Sequence, residues 1–269
     1  MTSAHFLYIL HLADNALIAG HRNSEWTGHG PILEQDIAIS NIALDLIGQA
    51  RNLYQHAATL YNEQVAVCKP LISSPAFQLV QDKIDEDDLA YLRDANEYYN
   101  VLLVEETKGD WAKTILKQFF FSCYQQVLYS KLLTSTDTQL EAIAEKSLKE
   151  VNYHLRWSGE WVIRLGDGTA ESHRRMQSAI DSLWKYTGEL FQPASYENEL
   201  IASGIAADLT TLKSTWTAKV EATLSMATIP FPGISWMQQG GKKGVHTEHL
   251  GFLLAELQYL QRAYPNSEW

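Results

Sequence analysis

Residues 32–61, ILEQDIAISNIALDLIGQARNLYQHAATLY, carry the most regular pattern in the chain and point to its fold. The stretch is rich in Ala, Leu and Ile and contains no proline, so it reads as one long helix. Pro31 stands just ahead of it, where a helix start tolerates proline. Glu34, Ala38, Asn41, Asp45, Gly48 or Gln49, Asn52 and His56 recur every three or four residues and share one face. Ile37 and Leu44 flank that stripe on one side; Ile42, Leu46 and Leu53 flank it on the other. The stripe is either the wet face or a polar face turned inward. Two apolar flanks favour the second, and an inward face requires a closed hydrogen-bond network or a metal.

Outward from this helix, the same periodicity recurs. Residues 4–22 form an amphipathic helix, separated from the long one by Gly28, Gly30 and Pro31. Residues 76–108 are ambiguous, with Asp85–Asp88 an acidic helix start. Asp110 to Ser135, Asp137 to Leu165, Thr169 to Leu190, 208–226 and Thr247 to Tyr264, stopped by Pro265, read as further helices. The 227–244 loop is rich in Gly and Pro. The expectation is an all-α single domain over 1–269, a bundle of long antiparallel helices over about 4–166 with further helices over about 169–264.

Composition narrows the class. The chain has 269 residues, 46% apolar and 20% charged, with a formal net charge of −11. That balance argues against a nucleic-acid-binding body and against charge docking on anionic membrane. Cys68 and Cys123 form no CxxC pair. No window offers about 18 apolar residues in a row, and the Met1–His5 start lacks a basic leader. A cytoplasmic location is expected.

The helix from Asp137 places Ile143, Lys146, Glu150, Tyr153, His154, Trp157 and Trp161 on one side. Glu150 and His154, one turn apart, can reach one point. Bundles that bind iron use Glu-x-x-His from two helices and a Glu from each of two others. Here the spacing is four, in one helix, and Lys146 shares the face, where it would repel an ion. His246, Glu248 and His249 resemble a metal cluster, but Glu248 and His249 are adjacent and face apart. Thr247 as an N-cap is the plainer reading.

Several segments together resemble the C subunits of bacterial phenylacetyl-CoA epoxidases. They are Ser24-Glu-Trp-x-Gly-His-Gly-Pro31, Leu33-Glu34-x-Asp36 and Asn41-Ile-x-Leu-Asp45-Leu-x-Gly-Gln-Ala-Arg-Asn52. Leu102-Leu-Val-Glu105, Lys149-Glu-Val-x-Tyr-His154, Arg164-Leu-Gly-Asp-Gly-Thr169 and Leu183-Trp184 follow. Gly240-Gly-Lys-Lys-Gly-x-His-Thr-Glu-His-Leu-Gly251 and Leu254-Ala-Glu-x-Gln-Tyr-Leu-Gln-Arg262 complete the match, which spans essentially the whole chain.

The resemblance implies a ferritin-like fold and a non-catalytic structural role beside a di-iron A subunit. That complex epoxidises the ring of phenylacetyl-CoA with oxygen and electrons from a separate reductase, and a further small subunit is expected. Laying the catalytic relative's Glu-x-x-His helix on residues 32–61 puts its ligand positions at Leu46 and Gln49. Leu has no donor atom and an amide is a poor iron ligand. The first helix offers Asp14 and His21 and no Glu.

No metal, cofactor or catalytic residue is therefore expected in this chain. Asp45, Gln49, Lys146, Lys149, Glu150 and His154 are expected to form a salt-bridged network in place of iron. The first two helices and their connection, with Glu25, Trp26 and His29, are the expected partner contact. Lys242, Lys243, His246, Glu248 and His249 are a second candidate. Without its partner the chain is expected to self-pair. The alternatives are a free-standing di-metal oxidase and a helical scaffold unrelated to redox chemistry.

Overall fold

The computed structural model describes residues 3–80, 83–233, 235–264 and 267. The expected stop at Pro265, the leader question at Met1 and Thr2, and the far end of the expected domain lie outside the described residues. Among the described residues there are helices and turns and no strand. Seven helices have ten residues or more: α1 (Ser3–Ser24), α2 (Leu33–Glu63), α3 (Trp111–Leu132), α4 (Thr138–Gly166), α5 (Ala170–Leu183), α6 (Lys213–Met226) and α7 (Glu248–Leu257).

The bundle is two helix hairpins, α1 with α2 and α3 with α4, joined face to face chiefly through α2 and α4. Residues 64–110 cross between them in short helical pieces, among them Glu86–Tyr91 and Leu102–Glu105. Two hairpins with one long crossover is the ferritin-like arrangement. The later helices pack on the outside: α5 and α6 against α3 and α4, and the short helix Ser195–Ile201 against α1.

α1 is the buried axis. Its residues Phe6, Ile9, Leu10, Ala13, Leu17 and Ile18 are in the core, but so are His5, His11, Asp14, Asn15 and Asn23. A helix buried all round must satisfy those polar groups inside the protein. α1 therefore leaves little of its own surface for a partner.

Local chemistry sets the helix starts. Asp110 accepts from the Lys113 amide at 2.9 Å, and Asp137 from the Gln139 and Leu140 amides at 3.0 Å each. Asp85 and Asp88 form a capping box, as do Thr169 and Ser172. Two expected helices are shorter than the periodicity suggests. The one from Thr169 ends at Leu183 and continues as two 3₁₀ turns, Trp184–Tyr186 and Gly188–Phe191. Gly188 sits so close to Met237 that an added Cβ would lie 2.7 Å from its Cγ. The C-terminal one divides into α7 and Tyr259–Ala263.

Candidate functional site

The expected network between α2 and α4 exists in part. Gln49, buried on α2, donates its amide to Glu150 Oε2 at 2.9 Å. Its Oε1 accepts from Gln125 Nε2 at 3.3 Å and from the Tyr129 hydroxyl at 3.5 Å. One turn along, His154 Nε2 lies 2.9 Å from Asp45 Oδ2. His154 is buried, whereas the Asp45 side chain is 36% exposed. Higher on α4, Trp157 and Trp161 both donate to Gln35 Oε1, at 3.0 and 2.7 Å.

The two lysines do not join. Lys146 and Lys149 are exposed, and Lys149 only approaches Glu145, at 3.8 Å. The cause is angular: on α4 they lie beyond Glu150 on the solvent side, where a flexible ammonium keeps its hydration. The network is thus an amide–carboxylate pair and a carboxylate–imidazole pair, with no ammonium. The polar stripe of α2 is likewise divided. Gln49 and His56 are buried and Asp45 is half-buried, but Glu34 and Asn41 are exposed. So are Ile37 and Leu44, the flank expected to pack.

A di-iron centre does not fit these residues. Leu46, fully buried, offers no donor atom, and Gln49 offers a neutral amide already engaged with Glu150. Asp14, the one carboxylate of α1, is bonded by Arg93, by the Tyr54 hydroxyl at 2.5 Å and by the Tyr99 amide at 2.8 Å. Its negative charge is already met by a guanidinium buried with it.

The expected partner residues are largely used within the chain. Trp26 is buried, donates to Thr114 Oγ1 at 2.8 Å and meets Trp111 edge-on. Arg22 joins the two candidate surfaces: it bonds Glu25 Oε1 at 2.6 Å and the His249 carbonyl at 2.8 Å. His29, Lys243 and Glu248 are exposed.

The Gly240–His249 segment is an internal clasp. Lys242 is buried against Glu197 at 3.0 Å. Glu189 Oε1 accepts from the Gly240 amide at 2.7 Å, and Oε2 from the Leu102 amide at 2.8 Å. Glu105, fully buried, holds His246 Nδ1 at 2.5 Å and the Thr247 hydroxyl at 2.7 Å. Thr247 stands at the N-cap position, yet its hydroxyl is spent on Glu105 rather than on the helix. Burial opposes protonation of His246, but its bond to Glu105 outweighs that and raises its pKa. The glycines allow close approach: a Cβ on Gly241 would lie 2.2 Å from the Asn100 carbonyl oxygen. Lys242 and His246 are thus both bonded within the chain.

Periodicity missed these clusters because each joins residues distant in the chain. Arg93 lies in a segment with no regular pattern. A charged residue inside an apolar helix, such as Asp14, was the one available signal.

The family model described as phenylacetic acid catabolic protein matches residues 1–269. The chain belongs to this family. It is also 44% identical over 262 residues to the C subunit of 1,2-phenylacetyl-CoA epoxidase from Escherichia coli (strain K12). That match covers 97% of this chain and 98% of the relative. No described helix is long and apolar enough to cross a membrane.

Proposed function

We propose that this member of the phenylacetic acid catabolic family is the structural, non-catalytic subunit of a phenylacetyl-CoA epoxidase. It braces a sister subunit that holds the di-iron centre and draws electrons from a separate reductase, with a further small subunit in a cytoplasmic assembly. The observation that carries the reading is the donor set between α2 and α4. Leu46 offers no donor atom, Gln49 offers a neutral amide bonded to Glu150, and Asp14 is committed to Arg93. The full-length likeness to a protein named as the C subunit of such an epoxidase supports the same role.

The surface that suits the sister is on α2. Leu33, Ile37 and Leu44 are 72%, 52% and 66% exposed and lie on one side of the helix. A Cβ at nearby Gly48 would meet nothing within 4 Å. Exposed apolar side chains at helical spacing suit a packed helix–helix interface. An obligate interface of this kind buries over about 2,000 Å². Alone, the same face would pair with a second copy.

The deciding experiment is metal analysis and ring epoxidation, on the chain alone and co-expressed with its A-type sister. Metal and activity confined to the pair support the proposal. Near two irons per chain in the isolated protein would overturn it in favour of an independent oxidase.

A further inference from the structure

At one end of the bundle three distant segments meet. His5 comes from the start of α1, His56 from α2, and Asp137 from the N-cap of α4. His5 Nε2 lies 2.7 Å and His56 Nε2 2.6 Å from the same oxygen, Asp137 Oδ2. One ligand atom from each of the three lies within 4.8 Å of the others. Their side chains are 6%, 8% and 7% exposed. The two rings meet edge-on, 5.8 Å apart at 77°.

From this geometry we propose that His5, His56 and Asp137 form a binding site for one divalent transition-metal ion of the zinc class. Two imidazoles and one carboxylate, with one position left for water, are a ligand set zinc accepts. Magnesium and calcium prefer all-oxygen sites. The carboxylate is already oriented, because Oδ1 accepts the Gln139 and Leu140 amides and leaves Oδ2 facing the imidazoles. His5 Nδ1 is buried without a partner, so no donor there opposes a move of the ring proton from Nε2 to Nδ1. Without an ion each Nε2–H donates to Oδ2, and an ion bound there would displace those protons.

A tetrahedral ion with bonds near ~2.1 Å spaces its ligand atoms about 3.4 Å apart. The carboxylate oxygen would then recede about 0.7–0.8 Å from each nitrogen, within side-chain adjustment. Thr136 and Thr138, the neighbours of Asp137, are exposed, which gives an ion a short path from solvent. Bound there, the ion ties α1, α2 and α4 together as a structural staple. The site is apart from the Gln49–Glu150 network, and the proposal does not rest on the epoxidase reading.

The test uses the full chain stripped with chelator, titrated with Zn²⁺ and with Mg²⁺ by calorimetry, and melted with each. The expected result is one Zn²⁺ per chain, a raised Tm, and no response to Mg²⁺. H5Q and H56Q should each weaken zinc by more than the ~10–100-fold that loss of an outer partner costs. D137N keeps a helix cap, since Asn caps as well as Asp, and should weaken it too if the His variants fail to fold. Co²⁺ should give the intense visible bands of a tetrahedral site without thiolate charge transfer. Absence of stoichiometric zinc binding would overturn the proposal, leaving two imidazole N–H donors sharing a carboxylate. So would binding undiminished in D137N, or a thiolate band pointing to Cys68 or Cys123.

Discussion

Arg93 donates to both carboxylate oxygens of Asp14, and both side chains are fully buried. The guanidinium also bonds the Leu89 and Glu97 carbonyls at 2.6 and 2.7 Å and lies 4.3 Å from the centre of the Tyr98 ring. It thereby locks the crossover segment onto the central helix. Burial disfavours its charge, but the Asp14 carboxylate more than compensates and raises its pKa. Removing one partner strands the other charge. Arg93→Met is expected to cost about 3–5 kcal/mol. The double variant Asp14→Asn/Arg93→Met should lose less than the sum of the singles. Urea unfolding of all three checks this.

Gln49 is neutral and donates to Glu150. Gln49→Glu sets two carboxylates at hydrogen-bond distance in a half-buried place. We expect a loss of ~1–3 kcal/mol at pH 7, recovered in part below about pH 5 as one carboxyl takes a proton. No gain of iron is expected, because Leu46 still lacks a donor. Unfolding across pH and iron analysis of the variant decide the matter.

The clasp makes a prediction about glycine. Gly241→Ala places a methyl group 2.2 Å from the Asn100 carbonyl oxygen, and backbone must move to relieve it. Gly244 adds a positive φ of 75° and an equally close approach to the Asn96 carbonyl. Each substitution should cost more than about 2 kcal/mol. Lys243→Ala, at an exposed neighbour, should stay within ~0.5 kcal/mol. Thermal melting of the three variants distinguishes them.

Lys117 gives a pH signature. Its ammonium is buried on α3 and donates to the Glu106 carbonyl at 2.5 Å. Burial, with the Arg22 charge nearby, pulls its pKa down to about 7. Between that value and the unfolded ~10.4 the native chain holds fewer protons than the unfolded chain. Stability from this group therefore rises with pH through that window, and its deficit is complete below about pH 7. Lys117→Met should stabilise the chain by ~1–4 kcal/mol below pH 7, with the gain shrinking as pH approaches 10. Denaturation of wild type and variant across pH 6–10 tests the sign.

The exposed face of α2 separates folding from assembly. Ile37→Asp and Leu44→Asp remove no internal contact of consequence, since both side chains face solvent. Each should leave the melting of a monomeric chain within ~0.5 kcal/mol. Each should also abolish co-purification with the sister and self-pairing of the isolated chain. Retained co-purification would place the interface elsewhere.

The helices and the family were legible in the chain before any packing was known. Residues 32–61 have the length and apolar period of one long helix, and Asp110, Asp137 and Thr169 mark helix starts through bonds to amides two or three residues on. Such signals are local, so periodicity and capping chemistry read them. That Asp45, Gln49, Glu150 and His154 share the facing sides of two helices followed from the 3.6-residue period, but their pairing, Gln49 with Glu150 and Asp45 with His154, came only from the packing. Which faces are buried was settled by the packing of the helices on one another. Lys146 and Lys149 turned to solvent, Ile37 and Leu44 stayed open, and Trp26, Lys242 and His246 turned inward. Burial depends on which other helix arrives, and that is a property of contacts up to 227 residues apart, as between Arg22 and the His249 carbonyl. The convergence of His5 and His56 on Asp137 is of the same kind: no spacing encodes it, and the packing of three helix ends creates it.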